Sequence, residues 1–542
     1  MIKKLLSIAT IMVLAANNSS AQTLDTAFGT NGKAVTSFGP AESNLNTIAL
    51  QPDGKILACG SYYTYVSNPF SISNQVALSR YNADGSPDLG FGAMGKVLLP
   101  IGSDTDNENN TVKVLNDGKI LVMANNTVRI SQFVTTNDYA LLKFNQNGTP
   151  DSSFGNDGIV FVNYAEHFNR ALAMAVQADH KIVLVGNSEQ ISTSDYGNFV
   201  AVRLNADGSK DAAFGNNGRA DFNFGTFFSA SQPTEDHSET VTIQPDGKIL
   251  IGGYSAEESQ PAKAALLRLN SDGTPDTAFG FNGHVTTAFD NHVMITSIQL
   301  WPDGKILASG TYFFNDDSNT KIFATKCNAD GSLDASFGNE GKVMLYSNYT
   351  DPMFISMASL LQPDGKILIS GWGANGNDNH DEIFDALVIR LNADGSNDTD
   401  FGTNGYGWSG FGQDMIANDL LFQSDGKLLI GGTTTDVNAA NEFILWRYQD
   451  VNLASRQFDE AKFRVSPNPF QNVINVDFKM AQDEFLSFEL IDQTGRKIWQ
   501  LFTGNFSIGQ NSKQLQMPQL PKGIYFLNIS GRQISKTIKI IN

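Results

Sequence analysis

The stretch Lys326–Val343, KCNADGSLDASFGNEGKV, carries part of the spacing of a calcium loop. Asn328, Asp330, Gly331 and Asp334 fall at positions 3, 5, 6 and 9 of an EF-hand. That loop also needs acidic oxygens at positions 1 and 12, where this register places Lys326 and Phe337, so the calcium reading fails. Gly371-Trp372-Gly373-Ala374-Asn375-Gly376 matches the dinucleotide fingerprint G-x-G-x-x-G. The fingerprint requires a helix next, and the strand-like run ALVIRLN follows instead. The six histidines, His167, His180, His237, His284, His292 and His380, have no zinc-site spacing. No P-loop, G-x-S-x-G or HExxH motif is present, so no cofactor, metal or catalytic residue is implied.

Two stretches combine acids with a histidine: SASQPTEDHSE (Ser229–Glu239) and GANGNDNHDE (Gly373–Glu382). Both read as loops. Asp236, His237, Asp378, His380, Asp381 and Glu382 are the candidate ligand-binding residues, able to hold a cation or act as an acid/base pair. The plain alternative is a solvated acidic loop.

These stretches interrupt a repeat. QPDGKILACG at Gln51 is the first of seven similar copies, with the turn aspartate at Asp53, Asp117, Asp179, Asp246, Asp303, Asp364 and Asp425. Each copy holds four short apolar runs bounded by Gly, Asn and Asp, which read as strands. Asp-Gly between two runs is a hairpin signal in which both turn residues take positive φ. His180 replaces the glycine in the third copy, so a wider or strained turn is expected there. Seven four-stranded units exceed what one sandwich holds, whereas radial repetition accommodates them. The fold class is therefore all-β, a seven-bladed β-propeller of four-stranded repeats.

Each fourth run carries a basic residue: Arg80, Lys143, Arg203, Arg268, Lys326, Arg390 and Arg447. Downstream lies an Asp three residues before a Phe, from Asp88/Phe91 to Asp398/Phe401, in six copies only. The seventh pair, Asp25/Phe28, stands at the N-terminus. Each basic residue is expected to meet one Asp, each Phe to enter the core, and the N-terminal segment to close the ring. The two cysteines, Cys59 and Cys327, sit in strand positions and read as buried thiols.

The repeat resembles the delta-sixty repeat family of secreted bacterial proteins, through LNADGSxDxxFGxNGK and QPDGKILxxG. The resemblance implies a β-propeller and no particular activity.

Past Asp450 the composition changes. Residues 451–462 read as a linker, and residues 463–542 as a small C-terminal β-sandwich. Pro467, Asn468, Pro469 and Phe470, then Gly495, then Gly523 and Tyr525 within LPKGIYFLNI, are similar to the type A sorting domain of the type IX secretion system. At the other end, Lys3 and Lys4, the apolar run Leu5–Ala16 and Ala21 read as a signal peptide over residues 1–21, leaving residues 22–450 for the propeller. The resemblance implies partnership with the type IX secretion machinery and a passenger attached to surface lipopolysaccharide or released. The expected location is the cell surface, at the outer membrane, or the extracellular space.

The net charge of −19 disfavours nucleic acid as a partner, and no segment has the length and apolarity of a transmembrane helix. The function read from these features is a binding or scaffold module for an unknown glycan or protein ligand. Its variable loops would be Tyr62–Asn74, the two acidic stretches and Thr433–Asn441. The alternatives are a polysaccharide-active enzyme with carboxylates on one propeller face, and a structural surface component.

Overall fold

The computed structural model describes residues 24–67, 70–101, 110–131, 134–163, 167–190, 197–225, 234–257, 260–313, 320–345, 353–374, 384–410, 414–435, 440–449, 463–470, 472–480, 484–491, 497–507, 509–530 and 535–542. The leader 1–21 and the linker 451–462 lie outside them. The chain divides into two compact units, one holding the repeats and one running from Asn452 to Asn542.

The repeats form seven four-stranded antiparallel sheets. Blade 1 is typical: Ser43–Leu50, Ile56–Ser67, Phe70–Tyr81 and Lys96–Pro100 pair in sequence order. The innermost strands of successive blades contact one another in a closed circle, from blade 1 to blade 7 and back. The second and third strands are buried on both faces, which is why runs such as Ile56–Gly60 lack the polar alternation of a half-exposed strand. Six of the innermost strands carry a bulge at one equivalent place, at Asn46, Leu172, Glu239, Thr296, Met357 and Asn418.

Blade 7 is built from both ends of the repeat region. Met415–Phe422, Leu428–Thr435 and Asn441–Arg447 supply three strands, and Lys33–Thr36 pairs with the third to complete the sheet. Closure by the N-terminal segment is thus what the structure contains.

The corner after each third strand explains the repeat's charged residues. In blade 6, Asp398 meets the Arg390 Nε at 2.6 Å and the Lys366 Nζ at 2.6 Å. The first contact is the pairing expected from sequence. The second, from the hairpin lysine, was not anticipated, yet it recurs in every blade. In blade 7 the two cations are Arg447 and Lys427, each 2.7 Å from Asp25. Where the strand residue is lysine its reach is longer: Lys143 lies 3.9 Å from Asp151, and Lys119 closes to 2.8 Å. The phenylalanine lies under the basic group, with the Arg80 guanidinium carbon 4.5 Å from the Phe91 ring centre and that of Arg447 4.7 Å from Phe28. All seven phenylalanines are buried. Full burial of each stabilises by about 1.5–3 kcal/mol.

The corner also joins neighbouring blades. Phe91 of blade 1 belongs to the core shared with Val112, Ile120 and Phe144 of blade 2. Its ring sits against Gly148 (φ 85°), where an added Cβ would stand 2.8 Å from it. Gly85 offers Phe28 the same place, so the seam between blades 7 and 1 uses the common design. Gly29 N–H donates to the Asp84 carbonyl (2.7 Å) and Arg447 to the Ala83 carbonyl (2.8 Å) across that seam.

One expectation about turns needs correction, and another is met in part. In the hairpin Gln51–Lys55 only Gly54 has positive φ (83°), because its N–H closes the turn on the Gln51 carbonyl and the Asp-Gly pair forms the last two positions of that turn rather than its centre. Of the wider or strained turn expected at His180, the structure contains the strained one and not the wider one. His180 adopts φ 66° and keeps the 2.9 Å bond from its N–H to the Gln177 carbonyl. Cys59 and Cys327 are buried free thiols.

In the C-terminal unit, a three-stranded sheet (Arg464–Ser466, Val473–Met480, Gly509–Gln516) and a four-stranded sheet (Lys497–Phe506, Glu484–Ile491, Ile524–Ser530, Ser535–Ile541) share one core. Phe478, Leu486, Phe488 and Leu527 lie in it.

Two outcomes are expected for the propeller. Asp398→Ala leaves the fully buried Arg390 without its carboxylate and should cost about 3–5 kcal/mol in urea unfolding, against under about 1 kcal/mol for Asp53→Ala on an exposed hairpin. Acid should also unfold the propeller. Lys119 and Ser153 hold the Asp151 carboxyl at about 2, while at Asp25, Asp88, Asp211, Asp276 and Asp398 burial pushes upward and the cations outweigh it. A carboxyl lowered on folding stabilises above its unfolded value, and that stability goes as pH falls through the folded one. The urea midpoint should therefore drop steeply between about pH 4 and about pH 2.

Candidate functional site

Strand polarity sorts the connections into two ends. The seven hairpins and the corners lie at one end. The links from second to third strand, and from each blade to the next, lie at the other. The described parts of both acidic stretches, of Tyr62–Asn74 and of Thr433–Asn441 belong to this second end, the loop end.

The first acidic stretch is not a loop over its described part. Residues 234–239 begin the innermost strand of blade 4, Thr234–Ile243. Neighbours on a strand point to opposite faces, so Asp236 and His237 do not form a pair. Asp236 is fully buried, and its Oδ2 accepts from the Phe224 N–H at 2.7 Å, tying the end of blade 3 to blade 4. The Tyr62–Asn74 region is likewise mostly hairpin, because Ile56–Ser67 and Phe70–Tyr81 pair as far as Ser67 and Phe70. Asp378, His380, Asp381 and Glu382 lie outside the described residues. Gly371–Ala374 ends a strand antiparallel to Phe384–Leu391, and an antiparallel partner cannot be the parallel crossover a dinucleotide site needs.

His237 joins a different set of residues. Its ring stacks on Tyr254 across the strand pair, with centres 4.9 Å apart and planes 4° from parallel. Asn187 Oδ1 accepts from the Ser238 N–H at 2.9 Å. Its amide nitrogen therefore faces His237 Nδ1, at 2.7 Å, and donates to it. That places the imidazole proton on Nε2, which stands 3.3 Å from Glu235 Oε1. Tyr254 Oη donates to the same oxygen at 3.2 Å. One oxygen of a half-exposed carboxylate is thus held by two donors beside a stacked aromatic pair. Glu235, Tyr254 and Asn187 were not singled out from sequence. An alternation of two from His237 marks Glu235, but Tyr254 and Asn187 need the strand register.

Two further carboxyls sit on innermost strands. Burial pushes Glu239, on its bulge, up to about 7, with Arg170 pulling the other way. Asp419 is pushed up to about 6 by burial, against the pull of backbone N–H groups of Ile48 and Leu420 at 2.9 and 2.8 Å. The Ile48 bond crosses from blade 7 to blade 1. Among the described residues no three His, Cys, Asp or Glu side chains group to hold a metal ion. In the calcium-like stretch Asp330 is used by Ser332, and Asp334 by Lys305 and Lys326.

In the C-terminal unit the motif residues close a sheet edge. Asn468 Nδ2 donates to the Lys539 carbonyl (3.1 Å), and its Oδ1 accepts from the Ile541 N–H (2.8 Å). The Phe470 N–H bonds the Ile541 carbonyl at 2.8 Å while its ring is buried. Pro467 and Pro469 flank this contact and are exposed. Gly523 and Asn542 exchange backbone hydrogen bonds of 3.3 and 3.0 Å, and Tyr525 Oη donates to the Pro521 carbonyl at 2.9 Å. Gly495 lies outside the described residues.

Comparison with known proteins bears on both units. Residues 464–542 match the family described as secretion system C-terminal sorting domain. Residues 51–91, 115–154, 177–214, 244–279, 302–337, 362–401 and 423–449 match the family described as domain of unknown function (DUF5122) beta-propeller. The first six segments each end on a corner phenylalanine. The seventh stops short of one, where Phe28 completes the corner. No curated protein matches the chain by sequence. Among solved structures it is similar to the β-propeller domain of the Trilobed protease from Pyrococcus furiosus, at 9% identity over 76% of this chain and 94% of that one, with a TM-score of 0.38. It is also similar to a mutant Trypanosoma rangeli sialidase displaying trans-sialidase activity, at 11% identity over 83% and 86%, TM-score 0.36. The Penicillium chrysogenum α-L-arabinanase complexed with arabinobiose gives 12% over 62% and 92%, TM-score 0.32. The chain is a seven-bladed β-propeller of DUF5122-type repeats that carries a secretion-system C-terminal sorting domain.

Proposed function

We propose that the protein is exported by the type IX route as a surface or extracellular binding module, with its ligand contacting the loop end of the propeller. In this reading the leader 1–21 and the sorting domain are removed, and the passenger is attached to surface lipopolysaccharide or released. The observation that carries it is the division of labour between the two ends. At the corner end the recurring aspartates, lysines and arginines are committed to the blade corners. The departures from the repeat fall at the loop end, where a rigid scaffold can vary its connections without disturbing the ring. The unknown ligand is a glycan or a protein.

A second reading, a polysaccharide-active enzyme, has one observation in its favour. Glu239 and Asp419, at about 7 and about 6, are carboxyls shifted towards the range a general acid uses.

A glycan array probed with the purified full chain, with released reducing sugar measured in parallel, separates the two. Binding without turnover is the expected result. Turnover lost in Glu239→Gln would establish the enzyme instead. Neither binding to glycans or candidate surface proteins nor turnover would contradict both readings.

A further inference from the structure

One position of the repeat ties each blade to the next near the loop end. The sixth residue of the second strand is Ser61, Asn125, Asn187, Tyr254, Thr311, Trp372 and Thr433 in blades 1 to 7. In four blades its side chain accepts a backbone N–H from the innermost strand of the following blade. Asn125 Oδ1 takes that of Ala171 (2.7 Å), Asn187 Oδ1 that of Ser238 (2.9 Å), Thr311 Oγ1 that of Ser356 (3.0 Å) and Thr433 Oγ1 that of Leu45 (3.1 Å). In blade 1 Ser61 turns to Tyr63 instead, at 3.0 Å. Blades 4 and 6 give up the latch for an aromatic ring. A tryptophan has no oxygen to offer, and the one side-chain oxygen of Tyr254 is spent on Glu235. A copy that abandons a rule its sisters keep marks a place for function.

The two aromatics differ in company. Trp372 meets Phe384 edge-on, with centres 4.7 Å apart, and packing accounts for it. Tyr254 joins a polar set. It stacks on His237 and donates to Glu235 Oε1, the same oxygen that faces His237 Nε2. Asn187 fixes the imidazole from its other nitrogen, so the set is organised before any ligand arrives. Glu235 Oε2 accepts no hydrogen bond among the described residues, and the side chain is half-exposed. One open carboxylate oxygen thus stands beside a stacked aromatic pair. A sugar unit complements both, through hydroxyls that donate and a face of C–H bonds that packs on aromatic rings. An anionic ligand is repelled by Glu235. A guanidinium pairs best through both carboxylate oxygens, and Oε1 already has two donors.

We infer that Glu235, His237 and Tyr254 form a subsite for one unit of a neutral glycan, with Glu235 Oε2 accepting a sugar hydroxyl and the Tyr254–His237 pair packing against the sugar ring. This rests on the binding reading above and names the class of its ligand.

The test uses the full chain against neutral hexasaccharides of glucose, mannose and xylose, with polygalacturonate and a decaarginine peptide for comparison. At least one neutral glycan should bind, and the two charged probes should not. Tyr254→Thr copies the residue of blades 5 and 7 and offers Ile295 N–H, the equivalent group of blade 5, the latch oxygen that Ser356 and Leu45 receive. It should melt no more than about 2 °C below the parent yet bind the glycan at least about tenfold more weakly. Glu235→Gln turns an amide donor towards the ligand in place of the open acceptor, and should weaken binding at least about tenfold with an unchanged melting temperature. A larger melting loss in Tyr254→Thr would make the ring a packing residue and overturn the inference. Parent-like glycan binding by both variants would place the glycan elsewhere and overturn the subsite while the binding reading stands. Binding of decaarginine, polygalacturonate or a surface protein without any neutral glycan would overturn the ligand class and leave that reading intact. No binding of any of them would remove both.

Discussion

The propeller depends on seven corner carboxylates, six of them buried, that cannot be left alone. Each corner aspartate is almost enclosed, and an isolated charge there would be strongly destabilising. The repeat answers with two cations, one from the third strand and one from the hairpin between the first two strands. Because these groups come from distant points of one repeat, the ion pairs fix how a blade's hairpin, third strand and corner meet. The phenylalanine three residues later then enters the next interface. One motif thus sets both the shape of a blade and its distance from its neighbour.

The same constraint dictates the seam. The last repeat ends at Arg447 with a cation and no aspartate, and the first begins at Asp25 with an aspartate and no third strand. Neither half is satisfied until the ring closes. The N-terminal segment brings the carboxylate, the core phenylalanine and the outermost strand to blade 7 together. With the corner end committed to this structural work, variation is left to the loop end.

Much of this was legible in the sequence because the repeat supplies its own controls. Six copies of Asp-Gly-Lys and one of Asp-His-Lys, with seven basic strand residues against six downstream aspartates, identified the blades, the pairing and the orphan at Asp25. The hairpin lysine was missed as a second partner, since its contact crosses the blade and no sequence spacing reports it. The turn was misjudged because Asp-Gly was read as its two central residues, whereas the pair forms its last two. The candidate site was the least legible part. The stretch around Asp236 looked like a loop because its composition is polar, but pairing with blade 4's second strand overrode composition. Asp236 became a buried tie, and His237 found Tyr254, Glu235 and Asn187 through cross-strand and cross-blade geometry.

The central claim is that the ring is held shut by its own N-terminal segment through the corner at Asp25 and Phe28. The direct measurement is thermal unfolding of the chain without residues 1–36, alone and with a synthetic peptide spanning residues 22–38. On this account the shortened chain melts at least about 10 °C below the chain that retains residues 22–36, and the peptide binds and restores most of the loss. A shortened chain melting within about 2 °C of the longer one, with no peptide binding, would contradict it.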